Sequence, residues 1–142
     1  MTVYEQIKRL FQADQRDRRM LWRHGLLGER EFLRRLTIRD QQRIKQVRRI
    51  LIENGPNLSK RALFLCGVIL HHGRSISDHR LAAQLAKKSL SRGYAPAKKL
   101  YQAVIDRILV RKYGRQKYGT QFRMIGGKRA PFPINRNLKD RQ

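Results

Sequence analysis

The segment Ala62–Leu70, ALFLCGVIL, is apolar on nearly every side of a helix, with Asn57 to Ser59 offering caps before it and His71-His72 closing it. A helix without a polar face is stable only when other elements surround it. The run is also far shorter than the roughly 20 apolar residues that span a bilayer. The rest of the chain must therefore wrap this helix, and it is built to do so. Thr2 and Glu5 have capping-box spacing, and Val3, Ile7, Leu10 and Phe11 continue a stripe toward Leu21 and Trp22 that stops at Gly25. Glu29–Leu36 reads as a short helical piece. Thr37 then caps a second major helix, with Ile44, Val47, Ile50 and Leu51 on one face and a stop at Gly55-Pro56.

Downstream, Ser77 or Asp78 caps a helix through Leu81, Leu85, Ala86 and Leu90 to Gly93. Pro96, at a first-turn position, opens another through Leu100, Val104, Ile108 and Leu109 to Gly114. Tyr118–Ile125 and Lys128–Ile134 read as short extended pieces joined by Gly126-Gly127. The expectation is an all-α fold, a compact bundle of about five main helices around Leu63–Leu70 with a short C-terminal β-hairpin or extended tail. One domain covers residues 1–134, and residues 135–142 form a frayed basic tail. A chain of 142 residues suits a single domain with a real core. The opening MTVYEQIKRLFQ has no apolar signal core, and the single Cys66 precludes an internal disulfide, so a reducing, cytoplasmic setting is expected.

Charge dominates the surface of such a bundle: 34 Lys and Arg oppose 10 Asp and Glu, a formal net charge of +24, and 23 of the basic residues are Arg. Arginine presents a planar fork that binds phosphate bidentately and stacks on bases. From Arg92 onward there are 14 basic residues against only Asp106 and Asp140. Self-repulsion at this density is relieved by a polyanion or a counterion layer. The candidate nucleic-acid contacts are Lys98, Lys99, Arg111, Lys112, Arg115, Lys117, Arg123, Lys128 and Arg129. Tyr101, Tyr113, Tyr118 and Phe122 lie between them as stacking surfaces.

Signals for other chemistry are sparse. Gly126-Gly127-Lys128 lacks the spacing and the strand-to-helix setting of a phosphate loop. His24, His71, His72 and His79 have no metal-site spacing, and no metal or cofactor is expected. Cys66 sits in the most apolar helix and reads as a core thiol. Asp14-Gln15 with Arg18 is echoed by Asp40-Gln41 with Arg43, a likeness too short to define a repeat. Two places invite function. His72 ends the apolar helix, and Gly114–Gln121, GRQKYGTQ, gathers amides, a phenol, a hydroxyl and two glycines just after a helix.

These residues fall in an order that resembles the bacterial family called domain of unknown function 6624. The matching positions are Asp14, Gln15 and Arg18, then Gly55-Pro56, His72, Asp106-Arg107 with Leu109, and Gly114, Gln116 and Tyr118-Gly119-Thr120-Gln121. Pro131, Pro133 and Ile134 complete the series. The resemblance covers most of the chain and implies a helical domain with polar motif residues, without an activity. The chain departs from the family in having Gly55-Pro56 where G-W-P is typical, Asn135-Arg136 where acidic residues follow P-x-P-I, and an unusually basic composition.

Three readings follow. The first is a protein that binds RNA, DNA or a ribonucleoprotein mainly through phosphates. The second is a small enzyme or ligand-binding domain. There His72 is the acid or base, Asp106 orients Arg107 or His72, and Gln116, Tyr118, Thr120 and Gln121 hold the ligand. The third is a structural or protein-interaction module in which the same residues form an internal network. His72, Asp106, Arg107, Gln116, Tyr118 and Gln121 are expected to converge in space.

Overall fold

The computed structural model describes residues 1–24 and 30–140, with residues 22–24 by backbone alone. Among these it holds five α-helices: α1 Val3–His24, α2 Arg30–Asn54, α3 Lys60–His71, α4 Ile76–Ser91 and α5 Ala97–Tyr113. A 3-10 turn, Gly55–Asn57, links α2 to α3, and a two-stranded antiparallel sheet, β1 Phe122–Ile125 with β2 Lys128–Pro131, follows α5. The chain is thus a helical bundle with a C-terminal hairpin. The expected stop at Gly25 and the basic residue Arg141 lie outside the described residues, as does the Trp22 side chain.

The apolar segment occupies the centre, where α3 packs on α1, α2, α4 and α5. Leu63, Cys66, Ile69 and Leu70 meet Ile7, Val47, Ala82, Ala86, Val104, Ile105 and Ile108 in one continuous core. Gly67 makes room for α5 against α3: a Cβ there would stand 3.0 Å from Leu100 Cδ2 on α5, while the Ala82 carbonyl oxygen of α4 lies at an ordinary 3.6 Å. Cys66 is buried, which pushes its thiol up to about 12 and leaves it protonated and inert. Among the described residues no helix is long and apolar enough to cross a membrane.

Caps set most boundaries. The Thr2 N–H donates to Glu5 Oε2 at 2.8 Å and the Glu5 N–H donates to Thr2 Oγ1 at 3.1 Å, a reciprocal box. Ser59 Oγ accepts from the Ala62 N–H, and Gly114 closes α5 with a φ of 67°. Two expected starts move. The short piece before Thr37 and the helix after it form a single α2, because the Thr37 hydroxyl donates to the Leu33 carbonyl inside the helix instead of capping a new one. Helix α4 starts at Ile76, capped by Ser75, whose hydroxyl accepts from the Asp78 N–H; the side chains of Ser77 and Asp78 accept from Arg48 instead.

The hairpin is shorter than its sequence pattern, since Tyr118–Gln121 curls around Asp106 before β1 begins. The tail expected to fray is instead tied down over its described part. Leu138 packs against the core, the Asn135 N–H donates to the Gln116 carbonyl, and Asp140 is bonded to Lys117 and Tyr118.

Candidate functional site

The residues expected to converge divide, by their hydrogen bonds, into two groups. Asp106 and Arg107 are adjacent on α5, so their side chains leave the helix about 100° apart and serve different neighbours. Asp106 is wholly buried. Its Oδ1 accepts from the Lys117 and Tyr118 N–H groups, both at 2.8 Å, and its Oδ2 from the Thr120 N–H at 2.9 Å and the Thr120 hydroxyl at 2.7 Å. Four donors fill a carboxylate, so Asp106 is a fastener for the loop and orients neither His72 nor Arg107.

Gln116, also wholly buried, has every polar side-chain atom engaged. Its Nε2 donates to the carbonyls of Gln121 and Phe132, and its Oε1 accepts from the Gln121 N–H. Gln121 Nε2 donates to the Ala103 carbonyl and to Thr120 Oγ1. The Tyr118 hydroxyl donates to Asp140 Oδ2 at 2.7 Å, and Lys117 Nζ reaches Asp140 Oδ1 at the same distance. Partial burial raises the Asp140 carboxyl, but the bonds from Lys117 and Tyr118 outweigh that and hold it below the usual carboxylate range. The four residues expected to bind a ligand therefore spend these polar groups on one another and on the tail. Lys117, expected to contact phosphate, is already paired.

The second group sits where α1, α2 and the C-terminal end of α3 meet. The buried Asp14 accepts from His72 Nδ1 at 2.9 Å. A carboxylate only accepts, so Nδ1 carries the proton and Nε2 keeps the lone pair in the neutral ring. That Nε2 makes no hydrogen bond among the described residues. His72 lines a cleft of about 200 Å³ together with Thr37, Asp40, Gln41, Arg74 and Asp78.

Around this pair, Arg18 forks onto Asp40 at 3.0 and 2.9 Å, Arg43 reaches Asp40 and Asp17, and Arg39 reaches Asp17. Burial opposes ionisation of Asp17, yet bonds from Arg39 and Arg43 hold its carboxyl below the ordinary value. Arg107 donates to the His71 carbonyl at 2.7 Å and so serves the carbonyl-rich end of α3, while Arg111 donates to that of Arg74 in the turn before α4. Burial, then repulsion from Arg18 and Arg111, lowers Arg107 from its ordinary value. Burial, followed by the nearby Arg107, also pushes His71 well below the usual imidazole range, so that ring is neutral.

Asp14, Arg18 and Asp40 are the residues that sequence reasoning did not place in a site. The signal was present in the paired Asp-Gln motifs, which face each other across α1 and α2. Among the described residues no cluster of three or more His, Cys, Asp or Glu is arranged to hold a metal ion.

The remaining basic residues are distributed unevenly. In α1 and α2, Arg18, Arg34, Arg35, Arg39, Arg43 and Arg48 each pair with a carboxylate. From α5 onward, Lys98, Lys99, Arg111, Lys112, Arg115, Arg123, Lys128 and Arg129 are all exposed, and Lys117 pairs with Asp140. Compared with known proteins, the chain matches no family model, no curated protein and no solved structure.

Proposed function

We propose that the protein binds nucleic acid, chiefly through phosphate contacts made by the C-terminal third. The observation that carries this reading is the segregation of charge. Asp14, Asp17, Glu31 and Asp40 of α1 and α2 are matched to arginines there, whereas the exposed cations of α5 and the hairpin share residues 97–140 with only two carboxylates, Asp106 and Asp140, both already engaged. Such a surface attracts a polyanion, and phosphate neutralisation releases condensed counterions. A binding titration against RNA and DNA at increasing salt tests it. Contacts to six or more phosphates lose on the order of a thousandfold in affinity between about 50 and 200 mM salt. Charge reversal at Lys98, Lys99, Arg111, Lys112 and Arg115 weakens binding and flattens that slope. Absence of binding to either polymer at low salt refutes the reading.

A second reading has its own observation, the Asp14–His72 pair beside the cleft. A buried carboxylate that fixes one imidazole nitrogen leaves the other poised as a proton acceptor, the arrangement used in general-base catalysis. Under this reading diethyl pyrocarbonate modifies His72 readily and Asp14→Asn slows the modification. An unreactive His72, or one indifferent to Asp14→Asn, argues for a purely structural pair.

A further inference from the structure

The hairpin is exposed on both faces, which is unusual for a two-stranded sheet. Seven of the eight residues in β1 and β2 are solvent-exposed, and an isolated hairpin is marginally stable in water. Three features hold this one in shape. Gly126 and Gly127 have φ of 56° and 77°, the positive values a type I′ turn requires. The Arg129 guanidinium lies 4.0 Å from the Phe122 ring centre on one face, and that of Arg123 lies 5.1 Å from the Phe132 ring on the other. At the base, the Gln116 side chain bonds the backbone of both arms, at Gln121 and at Phe132. The result is a stiff ribbon about 14 Å long, mounted on the bundle through the buried Asp106 and Gln116 network.

The end of the ribbon is amphipathic in a particular way. Cross-strand neighbours share a face, so the register pairs Ile125 with Lys128 on one side and Met124 with Arg129 on the other. Met124 and Ile125 are 51% and 53% exposed. One face thus carries Phe122 and Met124 beside Arg129, and the other carries Ile125 between two cations, Arg123 and Lys128. Apolar side chains presented this way unstack a base step when flanking cations hold the backbone phosphates.

We infer that the β1–β2 ribbon is a duplex-bending arm. Arg123 and Lys128 grip phosphates of double-stranded DNA, and Ile125, which shares their face of the ribbon, wedges between base pairs from the minor groove. This rests on the nucleic-acid reading above and adds a substrate form and an action to it. B-form DNA suits the tip better than an RNA duplex, whose wide minor groove presents polar 2′-hydroxyls to an apolar wedge.

The test is energy transfer between dyes at the two ends of a short DNA duplex, titrated with the full chain at low salt. Saturation by the wild type raises the transfer, as a bend on the order of 20–90° does. Ile125→Ser, at an exposed position and checked for unchanged helical circular dichroism, keeps the affinity but leaves the duplex straight. Arg123→Glu with Lys128→Glu lowers affinity by roughly tenfold or more. Binding without a change in transfer, or an equal bend from the serine variant, overturns the arm and leaves the phosphate reading intact. So does a preference for single strands or for an RNA duplex. Failure to bind any nucleic acid removes both readings, and uptake of the ribbon by phosphatidylserine vesicles instead reassigns it to a lipid surface.

Discussion

Four donors converge on the Asp106 carboxylate, and three of them are backbone N–H groups of a loop with no ladder of its own. Asp106→Ala leaves those three groups without partners at about 1 kcal/mol or more each, so a loss of at least about 3 kcal/mol is expected in urea unfolding. Hydrogen exchange at Lys117, Tyr118 and Thr120 accelerates before the helices are affected. Asp140 gives a pH-dependent counterpart. Its folded pKa lies below the unfolded value of 3.8, so its contribution is full above that pH and is lost as pH falls through the lowered folded value. Asp140→Asn should flatten this part of the acid unfolding curve. If the acid limb is unchanged, Asp140 does not hold the tail. The roles of these residues were only partly legible. G-x-Q-x-Y-G-T-Q singled out residues that the structure joins in one hydrogen-bonded network, but amides and hydroxyls that read a ligand look the same in sequence as those that bond one another.

At the level of elements, helix stops were easier to read than helix starts. Gly114 takes a left-handed φ that few other residues accept, and Pro56 lacks the N–H that a continuing helix needs; α5 and α2 end at these stops. Ser, Thr and Asp can cap a helix, bond the carbonyl four residues back or pair with an arginine. Tertiary neighbours decide among these. Arg48 claims Ser77 and Asp78, and Ser75 is left to cap α4. Ser75→Ala should therefore cost about 1 kcal/mol, whereas Thr37→Ala, inside α2, should change stability by no more than about 0.5 kcal/mol. Thermal unfolding of the two variants checks the pair. A larger loss at Thr37 would mean that α2 is two helices after all.

Across the whole molecule, charge acts twice with opposite sign. A net charge of +24 repels itself within a small bundle. Raising monovalent salt should therefore raise Tm while, under the proposed function, it weakens nucleic-acid binding, a divergence that melting and binding curves over one salt series would expose. A Tm that falls with salt would instead give the larger role to the ion pairs joining α1 and α2. The bundle, its central helix and its basic end were determined by the sequence alone, because burial of an apolar segment and the sum of charges depend on composition and spacing over short stretches. Which polar residues meet was decided only by the tertiary structure. Asp106 and Arg107 are neighbours in the chain, yet the helix turns them to different partners. Asp14 and His72, 58 residues apart, are joined by the packing of α1 on α3. A hydrogen bond is directional and short-ranged, so its partner is fixed by the angle and register at which whole helices pack, and neither is encoded in any single segment.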